Sequence, residues 1–256
     1  MKYMDICKAN IALGQEVHDF MVNVPDVNEE SVTDFLIWRW RQLDARFKYL
    51  SARTFTKHQE NHLTGADFEL ELWLVGRKKA VPLVFQAKKF IKSFDSYVRK
   101  FNYPSNSQGQ LATLQNYAAS RSLLPFYAIY STNSEGAKSL CGDRRLQRNA
   151  GIFMLPASDA KAFGDTKFGK RLGLQTILNK SNPFHCIFCC PLTGSGKYFS
   201  HYFDTELDGV VRDSEELPQY VQALLYSENP SDRESWPEEC SRIKAIGVYD
   251  LRELCR

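Results

Sequence analysis

Two apolar, strand-prone runs between residues 67 and 88 constrain this chain more than anything else in it. The first, Asp67-Phe68-Glu69-Leu70-Glu71-Leu72-Trp73-Leu74-Val75, alternates acidic and apolar residues. The second, Val81-Pro82-Leu83-Val84-Phe85, runs directly into Gln86-Ala87-Lys88. Side chains alternate across a strand, so a period of two predicts a strand with one face buried. Two such strands side by side bring the Asp67 carboxylate, the Gln86 amide and the Lys88 ammonium to one spot. A carboxylate and an amide oxygen are hard ligands suited to Mg2+ or Mn2+. A lysine beside them can orient or deprotonate a water, or stabilise charge on a phosphate.

The elements around this pair follow from periodicity. Ser31–Leu43 is helix-like, with Ser31 as N-cap and Val32, Phe35, Leu36 and Leu43 on one apolar stripe. Phe47–Phe55 reads as a strand. Gln108–Arg121 is helical, with Leu111, Leu114, Tyr117 and Ala118 at helical spacing. Pro125–Ser131 and Gly151–Leu155 read as strands, and Pro218–Leu225 and Ile243–Leu254 as short late helices. The central order is α-β-β-β-α-β, an α/β fold. Residues 1–28 form a peripheral helix and a loop at Asn23-Val24-Pro25-Asp26. Residues 29–155 form the core, and residues 156–256 an extension packed on it within the same domain.

Four stretches carry a resemblance: Glu29-Glu30-Ser31-Val32-Thr33-Asp34, Gly65-Ala66-Asp67-Phe68-Glu69, Phe85-Gln86-Ala87-Lys88-Lys89 and Phe126-Tyr127-Ala128-Ile129-Tyr130. Over roughly residues 29–190 the chain resembles the PD-(D/E)xK nuclease superfamily, in the variant with glutamine at the third motif, as in Mrr-like restriction enzymes. More closely, it resembles a poorly characterised bacterial family with that core. The resemblance implies a restriction-endonuclease-like αβββαβ core with a central mixed sheet. It also implies Mg2+-dependent (or Mn2+-dependent) hydrolysis of DNA phosphodiesters, in defence against phage or foreign DNA. Asp67 would be the anchoring metal ligand, Gln86 a neutral oxygen ligand and Glu30 a further acidic ligand. Lys88 would activate or position water. Glu69, two residues from Asp67, would point the same way, and Thr33 and Asp34 would support from the helix. On the helix 108–121, Gln110 matches the superfamily's polar position best among Gln108, Gln110 and Gln115. Gln86 in place of an acid removes one negative charge, which should weaken metal binding until substrate phosphate arrives.

Net charge is only +3, but its distribution is uneven. From Arg77 to Lys100 eight residues are basic (Arg77, Lys78, Lys79, Lys88, Lys89, Lys92, Arg99, Lys100) and only Asp95 is acidic. Phosphate contacts supply most nonspecific nucleic-acid affinity. Lys89, Lys92, Arg99 and Lys100 are therefore the candidate nucleic-acid-binding residues, with Tyr97, Phe101 and Tyr103 placed to stack on bases. The competing reading of this block is a solvated loop. From Asp204 to Glu239 eleven residues are acidic and two basic, a solvated surface or a partner-binding face.

No apolar run approaches the roughly 20 residues of a membrane helix, and the first residues show no secretion signal. Seven cysteines without framework spacing read as reduced thiols of a cytoplasmic, bacterial protein. His185-Cys186-Ile187-Phe188-Cys189-Cys190 reads as a buried strand rather than a zinc site shared with His201 or Cys240, because no second cysteine pair has zinc spacing. His58 and His62 read as loop residues. Thr193-Gly194-Ser195-Gly196-Lys197 is no phosphate loop, since Pro191 and Tyr198 stand where glycine and Ser or Thr are required. The partner class is DNA, and the sequence does not separate it from RNA. A homo-oligomer or a partner protein of a defence system is compatible with it. The competing functions are a nucleic-acid-binding module without turnover and a regulatory subunit that binds through its acidic face.

Overall fold

The computed structural model describes residues 2–47, 50–54, 68–90, 101, 104–105, 108–138, 150–164, 173–189, 212–226 and 243–252. In chain order their elements are α1 (Lys2–Asn23), α2 (Glu29–Phe47), β1 (Leu50–Thr54), β2 (Phe68–Val75), β3 (Lys79–Lys89), β4 (Pro104–Ser105), β5 (Gln108–Gly109), α3 (Gln110–Arg121), β6 (Leu124–Tyr130), β7 (Ile152–Pro156), α4 (Ala157–Gly164), α5 (Leu174–Leu178), β8 (Asn182–Pro183), α6 (Cys186–Cys189), β9 (Arg212–Asp213), α7 (Gln219–Tyr226) and β10 (Ile243–Asp250). The expected α-β-β-β-α-β order is present as α2, β1, β2, β3, α3 and β6.

The fold is α/β, built on a central mixed sheet in the order β1-β10-β2-β3-β6-β7-β8, with β9 paired to β3. A tight turn at Arg77-Lys78, closed by Gly76 N–H to the Lys79 carbonyl at 2.9 Å, joins β2 to β3 as an antiparallel pair. β3 and β6 are parallel, connected across α3. Both faces of the sheet are covered, and this explains why β3 is apolar almost without interruption. On one face Leu70, Leu72, Leu74, Phe85 and Ala87 pack under α1 and α2, through Leu13, Val17, Val32, Leu36 and Trp40. On the other, Trp73, Val84, Tyr127 and Ile129 pack under α3 and α7, through Leu114, Tyr117, Tyr220 and Val221. Each large side chain buried this way contributes about 1.5–3 kcal/mol.

A charged group sits inside the second layer. Glu71, fully buried on β2, accepts hydrogen bonds at 2.6 Å from Trp73 Nε1 and from the Tyr220 hydroxyl. Arg121, from the last turn of α3, stands 3.5 Å from the second Glu71 oxygen. It donates to the hydroxyls of Tyr117 (2.6 Å) and Tyr220 (2.7 Å) and lies over both rings. A buried carboxylate needs such compensation. The network fastens α7 and α3 to the middle of the sheet.

The structure corrects four expectations. Ile243–Leu254 is not a late helix: residues 243–250 form β10, inserted between β1 and β2. A strand buried on both faces lacks clean alternation, and the i, i+3 spacing of its Ile243 and Ile246 imitates a helix. The cap of α2 is not Ser31. The helix starts at Glu29, and the Asn28 side-chain oxygen accepts from Ser31 N–H at 2.7 Å. Residues 186–189 form the short helix α6 rather than a strand, and Cys189 is disulfide-bonded to Cys7 of α1, 182 residues away. Reduced thiols were expected because no local spacing pairs those two. Cys186 is buried, in keeping with a packing role. Among the described residues no helix is long and apolar enough to cross a membrane.

Candidate functional site

The antiparallel register sets Leu70 opposite Phe85, so the beginning of β2 lies beside the end of β3. Gln86 and Lys88 alternate with Phe85 and Ala87 and therefore share a face with Val84. Both are buried, at 5% and 8% exposure. An ammonium out of water requires a counter-charge, and one comes from α2. Glu29 Oε2 lies 3.9 Å from Lys88 Nζ, while Glu29 Oε1 accepts the Lys89 main-chain N–H at 2.8 Å. Local sequence accounts for the placement: Asn28 caps the helix, and Glu29 and Glu30 fill its first turn, where the helix dipole favours acids. One turn on, the Thr33 hydroxyl donates to the Glu29 carbonyl at 3.1 Å. A hydroxyl has one proton, so in the 2.8 Å pair between Thr33 and Tyr130 the donor is the Tyr130 hydroxyl. Tyr130 ends β6, opposite Lys89. The first turns of α2 are thereby tied to the ends of β3 and β6.

Two further polar groups belong to this end. The residue beside Gln86 on β6 is Tyr127, whose hydroxyl donates to the Phe101 carbonyl at 3.4 Å. Burial pushes its phenol above the ordinary range, so it stays neutral near pH 7. α3 covers the face that carries Gln86 and Lys88, with Arg121 level with Glu71. Twelve residues at about 1.5 Å each bring its first residue, Gln110, to the Lys88 end of the sheet. Gln110 Oε1 is buried without a hydrogen-bond partner.

The other sequence-predicted residues fall as follows. Asp67 lies outside the described residues, directly before Phe68. Glu69 is in β2, one residue before the Leu70–Phe85 pair; its side chain is outside the description. Glu30 is exposed, and its main-chain carbonyl accepts from Lys244 Nζ at 3.1 Å. Asp34 is ion-paired with the same lysine at 2.9 Å. The carboxylate 3.9 Å from Lys88 thus belongs to Glu29, next to the residue expected from the sequence. Glu29, Tyr130 and Lys244 escaped sequence reasoning. The doublet Glu29-Glu30 was the one available signal.

The basic run is not one surface. Arg77 and Lys78 are exposed at the β2–β3 turn, and β3 carries the chain about 30 Å from Lys79 to Lys88. Arg77 Nε donates to the Arg252 carbonyl at 3.0 Å, at that far end. Lys89 Nζ donates to the main-chain carbonyls of Val27 and Pro25, holding the loop before α2. Phe101 is buried between Phe90 and Tyr127, which removes it as a base-stacking platform. Lys92, Arg99, Lys100, Tyr97 and Tyr103 lie outside the described residues, as do His58, His62, His201, Cys240 and residues 193–197.

Among the described residues no group of three His, Cys, Asp or Glu side chains could hold a metal ion. Among the described residues the donors on offer at this end of β3 are the Glu29 carboxylate and the Gln86 amide oxygen. They fit Mg2+ in kind, since that ion takes oxygen ligands and needs only one or two carboxylates besides water and substrate phosphate.

Fold and site together define the class: an open, mixed-sheet α/β protein with a buried lysine and glutamine where the central strands end beneath the first turn of a helix. The chain belongs to a family of unknown function, DUF6615, which matches residues 6–250. No curated protein and no solved structure matches it.

Proposed function

We propose that this protein is a metal-dependent nuclease that hydrolyses DNA phosphodiesters. The observation that carries the reading is the buried Lys88, two residues from the buried Gln86 and 3.9 Å from Glu29, where central strands end. A structural core seldom holds a lysine this way, because a buried ammonium loses its hydration. Asp67, directly before β2 in the sequence, is the anchoring ligand in this reading. Asp67, Glu29 and Gln86 would then hold the ion, with Glu30 and Glu69 next to them. When bound, Mg2+ or Mn2+ would polarise the scissile phosphate and lower the pKa of a bound water. Lys88 stabilises the developing charge and orients the attacking water, held at its post by Glu29. Gln86 and Gln110 present neutral oxygens that add no negative charge to repel phosphate. We also propose a role in bacterial defence against foreign DNA; the Cys7–Cys189 bond removes the reduced-thiol ground for placing the protein in the cytoplasm.

The test is incubation of purified protein with supercoiled plasmid, with Mg2+, with Mn2+ and with chelator. Cleavage by either metal and none with chelator is expected, and Lys88→Ala should lower the rate at least 100-fold, the scale of a lost charge-stabilising group. No cutting of plasmid or of single-stranded DNA under any of these conditions refutes the activity. Metal-free DNA binding that survives in that case would favour the module without turnover. Gln86, where the resemblance would otherwise have an acid, is the feature that speaks for that reading.

A further inference from the structure

Lys244 is the second residue of β10, the strand that enters the sheet between β1 and β2. Ile243 pairs with Phe68 and Ala245 with Leu70, so Lys244 stands beside the first residues of β2. Its side chain is only 15% exposed, and its Nζ donates to the Asp34 carboxylate at 2.9 Å and the Glu30 carbonyl at 3.1 Å. Both acceptors belong to the first two turns of α2. A cation there opposes the helix dipole, and an ion pair with an Asp34 that is 62% exposed stabilises little. Helix stability is therefore a poor reason for this arrangement.

Geometry supplies a better one. β10 and β3 flank β2 on its two sides, and each sends a lysine to α2. Lys88 meets Glu29 from β3, Lys244 meets Glu30 and Asp34 from β10, and Tyr130 meets Thr33 from β6. The helix turn that carries Glu29 and Glu30 is clamped over the sheet end from three strands.

We propose that Lys244 is a positioning residue of the site: it fixes the Glu29–Asp34 stretch of α2 so that the Glu29 and Glu30 carboxylates hold their places relative to Gln86 and Lys88. The inference rests on the nuclease reading and adds the C-terminal strand to it. Lys244 acts through α2 and touches no substrate. Groups that orient metal ligands typically account for about 10–100-fold in metal affinity or activity.

Full-length Lys244→Met, Lys244→Arg and Asp34→Asn would be compared with the wild type in three measurements: Mn2+ binding by calorimetry without DNA, kcat and KM for plasmid cleavage, and melting temperature. Lys244→Met is expected to weaken Mn2+ binding and lower kcat by about 10–100-fold, with KM within about twofold. Lys244→Arg should restore most of both, and Asp34→Asn should show a smaller loss of the same kind. Wild-type Mn2+ affinity and kcat in Lys244→Met overturn the positioning role and leave the nuclease reading standing. A rise in KM alone overturns it too, since that is the signature of a substrate contact. A wild-type protein that neither binds Mn2+ nor cuts overturns both. If Lys244→Met does not fold, Asp34→Asn decides, and unchanged Mn2+ affinity there overturns the proposal.

Discussion

Replacing Arg121 by methionine leaves the Glu71 carboxylate inside the protein without its counter-charge. Glu71 is fully buried, and the guanidinium 3.5 Å away is the cation the structure gives it. Methionine keeps the aliphatic stem of Arg121 but loses the donors to the Tyr117 and Tyr220 hydroxyls and the stacking on both rings. Removing one member of a buried ion pair costs about 3–5 kcal/mol. The Trp73 and Tyr220 hydrogen bonds to Glu71 survive the change, so the lower end, about 3 kcal/mol, is expected. For a chain of this size that is a fall in Tm of about 6–12 °C. Urea or thermal melts of wild type, Arg121→Met, Glu71→Gln and the double variant would measure it. The double variant should be more stable than Arg121→Met alone, because a glutamine oxygen still accepts from Trp73 and Tyr220 and carries no charge. If Arg121→Met melts within about 0.5 kcal/mol of wild type, the level of an ordinary surface substitution, the buried-pair argument fails. It also fails if Glu71→Gln brings no recovery in the double variant.

Two further outcomes follow from buried groups near α6. His185 Nε2 is buried without a partner, and burial pushes the imidazole pKa down to about 4 from an ordinary 6.5. The unfolded chain therefore binds the proton first, so stability falls as pH drops from about 6.5 towards 4, by on the order of 3 kcal/mol in full. His185→Gln should flatten that part of the stability–pH curve, and an unchanged slope would show that other groups set it. The Cys7–Cys189 bond closes a loop of 182 residues, and its reduction should cost about 2–5 kcal/mol, with Cys7→Ser melting like the reduced wild type. Titration of all seven cysteines as free thiols in the native protein would contradict the bond.

The sequence by itself determined the parts that depend on short-range pattern. The alternation of Leu70, Leu72 and Leu74 with Glu71 and Trp73 set β2, and the stripe of Val32 and Leu36 set α2. The order α-β-β-β-α-β followed. Gln86 and Lys88 were bound to share a face once β3 was a strand, because side chains repeat every two residues. Tertiary structure decided what is far apart in the chain. β10 could not be recognised, since a strand buried on both faces has no period of two; its place between β1 and β2 depends on pairing across about 175 residues or more. That Glu29 meets Lys88 depended on where α2 begins: Asn28 caps it three residues before Ser31 and so brings both acids into its first turn. Arg77 and Lys88 looked like one basic block along the sequence, but an extended strand advances about 3.3 Å per residue and separates them to opposite ends of the sheet. Cys7 and Cys189, and Lys244 with Asp34, meet only because the sheet and its covering helices bring them together, and no local periodicity records such contacts.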